Sequence, residues 1–291
     1  MSLEVITNSK EMMDWSNRQL GLGHSIGLVP TMGAFHVGHL RLVEKAASTS
    51  DKLVVSIFVN PTQFGPNEDL AAYPRTLNED IKLLNEQGET DVVFAPNVQE
   101  MYPLGTNRTW VVVDKLGEYL CGASRPGHFR GVTTIVSRLF TIAQPTKAFF
   151  GLKDAQQYFI LKRMAQEMCF QTEIIGIETV RESDGLALSS RNRYLSYEER
   201  AQAVALSKAV RIAKHLIEEG KEIHSHVILS AMLGVLESAT LGKIDYVEVV
   251  EGEDLQPIDI LVPGMVVLAA VAYKFGKARL IDNSISHVPP R

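Results

Sequence analysis

Ser25–Ala47 reads SIGLVPTMGAFHVGHLRLVEKAA, and it changes character twice. Ser25–Val29 is a short apolar run of the β type. Pro30–His39, PTMGAFHVGH, is built of turn formers and carries no apolar period. Leu40–Ala47 returns to apolar residues at helical spacing. Outward from this segment the alternation repeats. Leu53–Val59 predicts a second strand, apolar on both faces, and Asn78–Gln87 a helix with Leu83 and Leu84 inward. Asp91–Ala95, Ala148–Phe150 and Glu173–Ile177 predict further strands, with helices over Thr133–Ala143 and Ala155–Met168. Strands alternating with helices predict an α/β fold, a Rossmann-like doubly wound parallel sheet with helices on both faces. In such sheets ligands bind beyond the carboxyl ends of the strands.

The pattern breaks near Val180. Arg181–Ser196 has no apolar period, and Ser196 with Glu199 then forms a capping-box pair before a helix running to about Glu219. A helix over His226–Ser238 follows, then β-type runs at Tyr246–Val250 and Val266–Tyr273 before Leu280 and Ile281. The division expected is a Rossmann-like domain over 1–180 and a smaller C-terminal α+β lid domain over 181–291.

The bulk composition narrows the function. The chain has 291 residues, 45% hydrophobic and 22% charged, with a formal net charge of -5. That balance is ordinary for a globular protein and lacks the basic footprint of a nucleic-acid binder. Two cysteines, Cys121 and Cys169, read as reduced thiols. The N-terminus MSLEVITNSKEMMDW has no basic-then-apolar pattern, and the apolar stretch at Met265–Tyr273 is too short for a membrane span. The expectation is a cytoplasmic protein with no nucleic-acid or membrane partner.

His36-Val37-Gly38-His39 stands directly after a strand and at the mouth of a helix. A helix N-terminus offers unpaired N–H groups and the positive end of a dipole, which attract phosphate. Gly38 lets a phosphate approach the backbone. His36 and His39, three apart, can turn their rings to one side and stabilise charge as it develops. The plainer reading of the pair is one histidine capping the helix and the other packing. Zinc fits poorly, since no Glu follows the first His and no third ligand stands out. Asn60 and Gln63 follow the second strand, where their amides can read hydroxyls and a carboxylate, although Asn60-Pro61 also suits a turn. Lys153 and Asp154 follow the strand Ala148–Phe150, where Lys153 places a compact charge. Gln157 lies one turn beyond. Ser189, Ser190 and Arg191 supply two hydroxyls and a fork-shaped cation, a good phosphate clamp.

The turn PTMGAFHVGH resembles the ATP-binding HxGH element of the nucleotidyltransferase superfamily, in the form typical of pantothenate synthetases. Asn60–Phe64 (NPTQF), Tyr73–Thr76 (YPRT), Arg125–Val132 (RPGHFRGV), Gly151–Gln157 (GLKDAQQ) and Leu188–Leu195 (LSSRNRYL) agree with that family in order. The resemblance implies a ligase that uses ATP with Mg²⁺, adenylates pantoate and joins it to β-alanine. It implies ATP binding by Met32, Gly33, His36, Gly38, His39, Gly151, Lys153, Asp154, Val180, Leu188, Ser189, Ser190 and Arg191, with the backbone of Val180 against the adenine. His36, His39, Lys153 and Arg191 are the implied catalytic residues, His39 with an acid role. Gln63, Gln157 and Asn60 are implied for pantoate, Gln63 also for β-alanine, and a homodimer is implied. The sequence departs from the family at Thr62, Leu152, Ala155 and Leu188, where Met, Glu, Tyr and Met are usual. Glu79 and Asp80 are weak candidates as outer partners of Mg²⁺, because an acidic helix start is also an ordinary cap. Two rivals are a nucleotidyltransferase acting on a phosphorylated acceptor and a non-catalytic nucleotide sensor. The first wants cations where Gln63 and Gln157 stand, and the second has no reason to keep all four charged groups.

Overall fold

The computed structural model of the chain describes residues 3–66, 68, 70–105 and 107–290. Met1, Ser2 and Arg291, the outermost residues of the expected domains, lie outside the described residues. Two compact units are distinguished. One comprises Met1–Gly117, Arg125–Leu152 and Ile160–Glu178; the other comprises Glu118–Ser124, Lys153–Phe159 and Thr179–Arg291.

The first unit is a parallel sheet with helices. Its strands are β1 (Glu4–Ile6), β2 (Ile26–Thr31), β3 (Lys52–Ile57), β4 (Val92–Phe94), β5 (Lys147–Gly151) and β6 (Glu173–Ile177), in the order β1-β4-β3-β2-β5-β6. The chain therefore winds one way from β2 through β3 and β4, and the other way through β5 and β6. The switch falls at β2, where a doubly wound sheet opens its ligand crevice. The helices are α1 (Ser9–Gly21), α2 (Val37–Ala47), α3 (Leu77–Gln87), the short α4 (Val98–Met101), α5 (Cys121–Ser124), which falls in the other unit, α6 (His128–Ala143) and α7 (Ala155–Glu167), which the division cuts after Phe159.

Neighbouring residues of the central strands bury on opposite faces, as a two-sided sheet requires. Leu28 and Val54 join one cluster with Trp15, Val132, Ile135 and Leu139. Val29 and Val55 join another with Leu42, Val43, Ala46 and Leu84. Leu84 is fully buried as expected, but Leu83 is 38% exposed, because α3 turns only a narrow stripe inward. Strand β2 runs through Pro30, which lies beyond the last β2–β5 pair, Leu28 with Ala148. Helix α2 starts at Val37, three residues before the periodicity suggested, because His36 supplies the cap. Helix α6 likewise starts at His128 and not at Thr133. The sequence pattern does not announce α1. Its apolar stripe is thin, but Asn8 caps it by accepting the Glu11 amide, and Met12 and Trp15 anchor it.

The second unit carries α8 (Tyr197–Glu218), α9 (Ser225–Leu236) and an antiparallel sheet of β7 (Gly242–Glu251), β8 (Val266–Phe275) and β9 (Ala278–His287), ordered β7-β8-β9. The Ser196–Glu199 capping box is present on α8 with both reciprocal bonds. A separate core of Leu206, Val210, Met232, Val271 and Phe275 holds helices to sheet. A Rossmann-like doubly wound sheet with a smaller α+β region is therefore the observed fold. Cys121 and Cys169 are free thiols. Among the described residues no helix is long and apolar enough to cross a membrane.

Candidate functional site

The β2–α2 turn carries the two histidines. Gly33 and Ala34 follow each other in the left-handed region, φ 80° and 54°. That pair of turns lets the chain leave β2 and enter α2 within five residues. His36 is the N-cap, and its Nδ1 accepts the Gly38 amide at 3.1 Å. A backbone N–H can only donate, so Nδ1 is an acceptor and the proton of the neutral ring sits on Nε2. The capping role thus leaves the outer ring nitrogen of His36 as a donor. The His39 ring stacks on it, centroids 4.2 Å apart, and the tilted Phe35 ring lies 5.3 Å from that of His39. The capping reading and the phosphate reading are compatible for this pair.

The β3 end carries the amides. Asn60 is 1% exposed, and its Oδ1 accepts from Tyr102 at 2.7 Å and Thr62 at 2.9 Å. Its Nδ2 donates to Gln63 Oε1 at 3.0 Å and to the Gly131 carbonyl at 3.1 Å. Asn60 is thus the frame of the turn, and Gln63 stands on it, half-buried. Gln63 Nε2 in turn donates to the Met32 thioether at 3.3 Å, so the amide turn touches the histidine turn directly. From below, His128 Nδ1 donates to the Gln63 carbonyl at 2.8 Å, and its Nε2 faces Arg125 at 3.0 Å. Arg125 is paired twice to Glu68, whose carboxyl it holds below the ordinary range. Sequence reasoning misses His128, Arg125, Tyr102 and Gly131 as site residues. The only signal for His128, Arg125 and Gly131 is their place in RPGHFRGV.

Apart from Gly151, at the end of β5 in the first unit, the second unit holds the remaining candidates in two segments. Lys153 pairs with Asp154 at 3.7 Å, just beyond β5 and Gly151. Gln157 is half-buried on the first turns of α7; its neighbour Gln156 is buried and donates to the Tyr119 carbonyl at 2.7 Å. The other segment closes on itself. The Leu188 amide donates to the Val180 carbonyl at 2.9 Å, Ser189 Oγ accepts the Arg191 amide at 3.2 Å, and Ser190 and Arg191 are exposed. Strand β9 ties both segments down. Asn283 Nδ2 donates to the Lys153 carbonyl at 2.9 Å, while the adjacent Asp282, 1% exposed at its side chain, receives both arms of Arg181. Nothing in the apolar run ending at Ile281 signals this.

The Asp184-Gly185 turn that precedes the Ser189–Arg191 segment is pinned. Arg200 of α8 donates to Asp184 at 2.7 Å and to Glu182 at 2.8 Å, and buried Asn192 donates to Glu182 at 2.6 Å. Hydrogen bonding from Arg200 holds the Glu182 carboxyl below its ordinary range. A carboxyl lowered in the folded state stabilises above its unfolded pKa, and that stability is lost as pH falls through the folded value. Below about pH 4, the ordinary glutamate range, the advantage of wild type over Arg200→Gln should therefore shrink. Melting temperatures of the two proteins from pH 7 to pH 3 give the comparison; a constant gap would mean that Arg200 contributes packing and not this ion pair.

A family model for pantoate–β-alanine ligase matches residues 4–285. The chain belongs to that family. It is 49% identical to a pantothenate synthetase of Salinibacter ruber, over 99% of each chain. The crystal structure of a pantothenate synthetase from Thermus thermophilus matches with a TM-score of 0.87 at 43% identity, covering 99% of this chain and 100% of that one. A pantoate–β-alanine ligase from Francisella tularensis, described as complexed with beta-gamma ATP and β-alanine, matches with a TM-score of 0.75 at 31% identity, over 98% of each chain. Membership makes the chain a ligase of pantothenate biosynthesis.

Proposed function

We propose that the chain condenses pantoate with β-alanine at the expense of ATP, releasing AMP and diphosphate through a pantoyl-adenylate. The observation that carries this is the Gln63–Met32 contact, which sets an amide turn for a small polar acid against the histidine turn. An acid bound at Gln63, on the frame of Asn60, would hold its carboxylate beside the phosphates. Pantoate is ionised at neutral pH and needs no base to attack the α-phosphorus. The work of the site is alignment and charge neutralisation. His36 Nε2–H, His39, Lys153 and the Ser189, Ser190 and Arg191 segment serve the phosphates, with Gly33, Gly38, Gly151, Asp154, Val180 and Leu188 as the further ATP-binding residues. Gln157 adds a second amide for pantoate, and Gln63 serves β-alanine in the following step. In this reading His39 donates a proton or a hydrogen bond as pyrophosphate leaves.

Mg²⁺ belongs to this proposal as the companion of the triphosphate. Asp80 does not fit as its partner, because both its oxygens accept protein donors. Among the described residues no group of three or more His, Cys, Asp or Glu could hold a metal. The ion is therefore expected to rest on phosphate oxygens and water, as Mg²⁺ prefers. A cytoplasmic homodimer completes the reading.

The two-step scheme predicts that pantoate alone drives exchange between ATP and labelled pyrophosphate. Exchange that starts only when β-alanine is added would rule the adenylate out. A phosphorylated acceptor that outperforms pantoate would favour the nucleotidyltransferase reading, and neither reaction would leave the sensor.

A further inference from the structure

We infer that Asp80 is a positioning residue for adenylation, the internal counter-anion that holds the β2–α2 turn in its working shape. Asp80 is 2% exposed. Its Oδ2 accepts the Ala34 amide at 2.9 Å and its Oδ1 the Phe35 amide at 2.8 Å, while Thr76 donates to Oδ2 at 3.0 Å. The two successive amides converge on one carboxylate, each on its own oxygen, and so form a concave seat for an anion. A left-handed alanine is unfavourable by itself, so the turn needs an outside partner to persist. Asp80 supplies it from the first turn of α3, where the helix N-terminus favours a carboxylate.

The fit is close on every side. A Cβ on Gly33 would stand 2.8 Å from Asp80 Oδ2 and 3.2 Å from Ile57. The amides of Ala34 and Phe35 are therefore spent on protein, not offered to phosphate. What the carboxylate provides is geometry, since a negative charge under a phosphate site adds no attraction. His36 begins one residue after Phe35, so the direction in which its capped ring and the stacked His39 face is inherited from this clamp. The Thr76 hydroxyl gives the YPRT segment a physical role, as a brace on Asp80.

The inference rests on the adenylation reading, and the test separates the two. Asp80→Asn keeps the volume but turns an NH₂ group toward one of the two amides. It should lower kcat of pantoate-driven ATP–pyrophosphate exchange by about tenfold, the order expected when reacting groups are misplaced by part of an ångström. KM for pantoate and the Mg²⁺ dependence should stay as in wild type. In a His39→Ala background the same substitution should cost less than about twofold, because the stacked pair through which Asp80 acts is already undone when His39, the surface that keeps His36 in place, is removed. Thr76→Val, a milder change, should act in the same direction if Asp80→Asn folds poorly. A full tenfold loss on the His39→Ala background, or a shifted Mg²⁺ dependence, would overturn the inference. Should wild type show no exchange at all, the adenylation reading fails, and amide hydrogen exchange still decides the clamp. Protection of Ala34 and Phe35 should fall about tenfold in Asp80→Asn with α8 unchanged; unaltered protection there would refute it.

Discussion

Replacing Lys153 or His39 by alanine is expected to slow pantoate-dependent ATP–pyrophosphate exchange at least about a hundredfold, the scale of losing one preorganised electrostatic donor. The size follows from how little freedom each group has. Lys153 stands two residues beyond the end of β5, its carbonyl is held by Asn283, and its side chain is 22% exposed. Asp154 lies 3.7 Å from the ammonium but is 54% exposed, so water screens most of that attraction and the cation stays available. Asp154→Asn should accordingly cost far less than Lys153→Ala. Lys153→Arg should not restore activity, since a planar fork does not replace a compact charge at a fixed point. His39 has a different support, the face of the capped His36 ring. Removing it takes away both a polar group and the surface that keeps His36 in place. Exchange near the wild-type rate in either variant would take that residue out of the site.

The parts of this site that are legible in the sequence are those whose chemistry is local. The strand–turn–helix reading of Ser25–Ala47 needs only neighbouring residues, and so does the capping box at Ser196. Asp80 shows the limit. From sequence it is one acid in a helix start, indistinguishable from Glu79; its partners Ala34 and Phe35 lie far back in the chain, and only the fold brings them together. Asn283 and Asp282 are a stronger case. They hold two candidate segments that look separate in the sequence, through contacts with Lys153 and Arg181 more than a hundred positions away. Helix α1 escapes for another reason: a cap and two buried side chains suffice when tertiary packing completes the face, and no periodic pattern announces that.

Gly131→Ala is expected to weaken pantoate as severely as Gln63→Ala, although residue 131 presents no side chain to any substrate. A Cβ there would lie 2.4 Å from the Thr62 carbonyl oxygen and 2.6 Å from Gln63 Cα. These are backbone atoms of the turn Pro61–Gln63, not the yielding end of a side chain. The turn cannot give way in place, because the same helix grips it twice: Gly131 accepts from Asn60, and His128, one turn earlier, donates to the Gln63 carbonyl. The substituted helix must either push the turn outward, breaking both bonds and the Gln63–Met32 contact, or shift itself against a buried core. Overpacking of this kind costs about 1–3 kcal/mol, and leaving polar groups of a bound acid unpaired costs a similar amount. Pantoate KM should therefore rise roughly tenfold or more, a change of about 1.4 kcal/mol for each factor of ten, while the half-saturating ATP concentration stays near that of wild type. Gln63→Ala should reproduce the pantoate defect without lowering the melting temperature, and Gly131→Ala should show both. Because the glycine acts through the glutamine, the double variant should bind pantoate little worse than either single one. Wild-type pantoate affinity in Gly131→Ala would mean that the turn relaxes without moving Gln63, and an equal loss for ATP would mean that the substitution disturbs the whole carboxyl edge of the sheet.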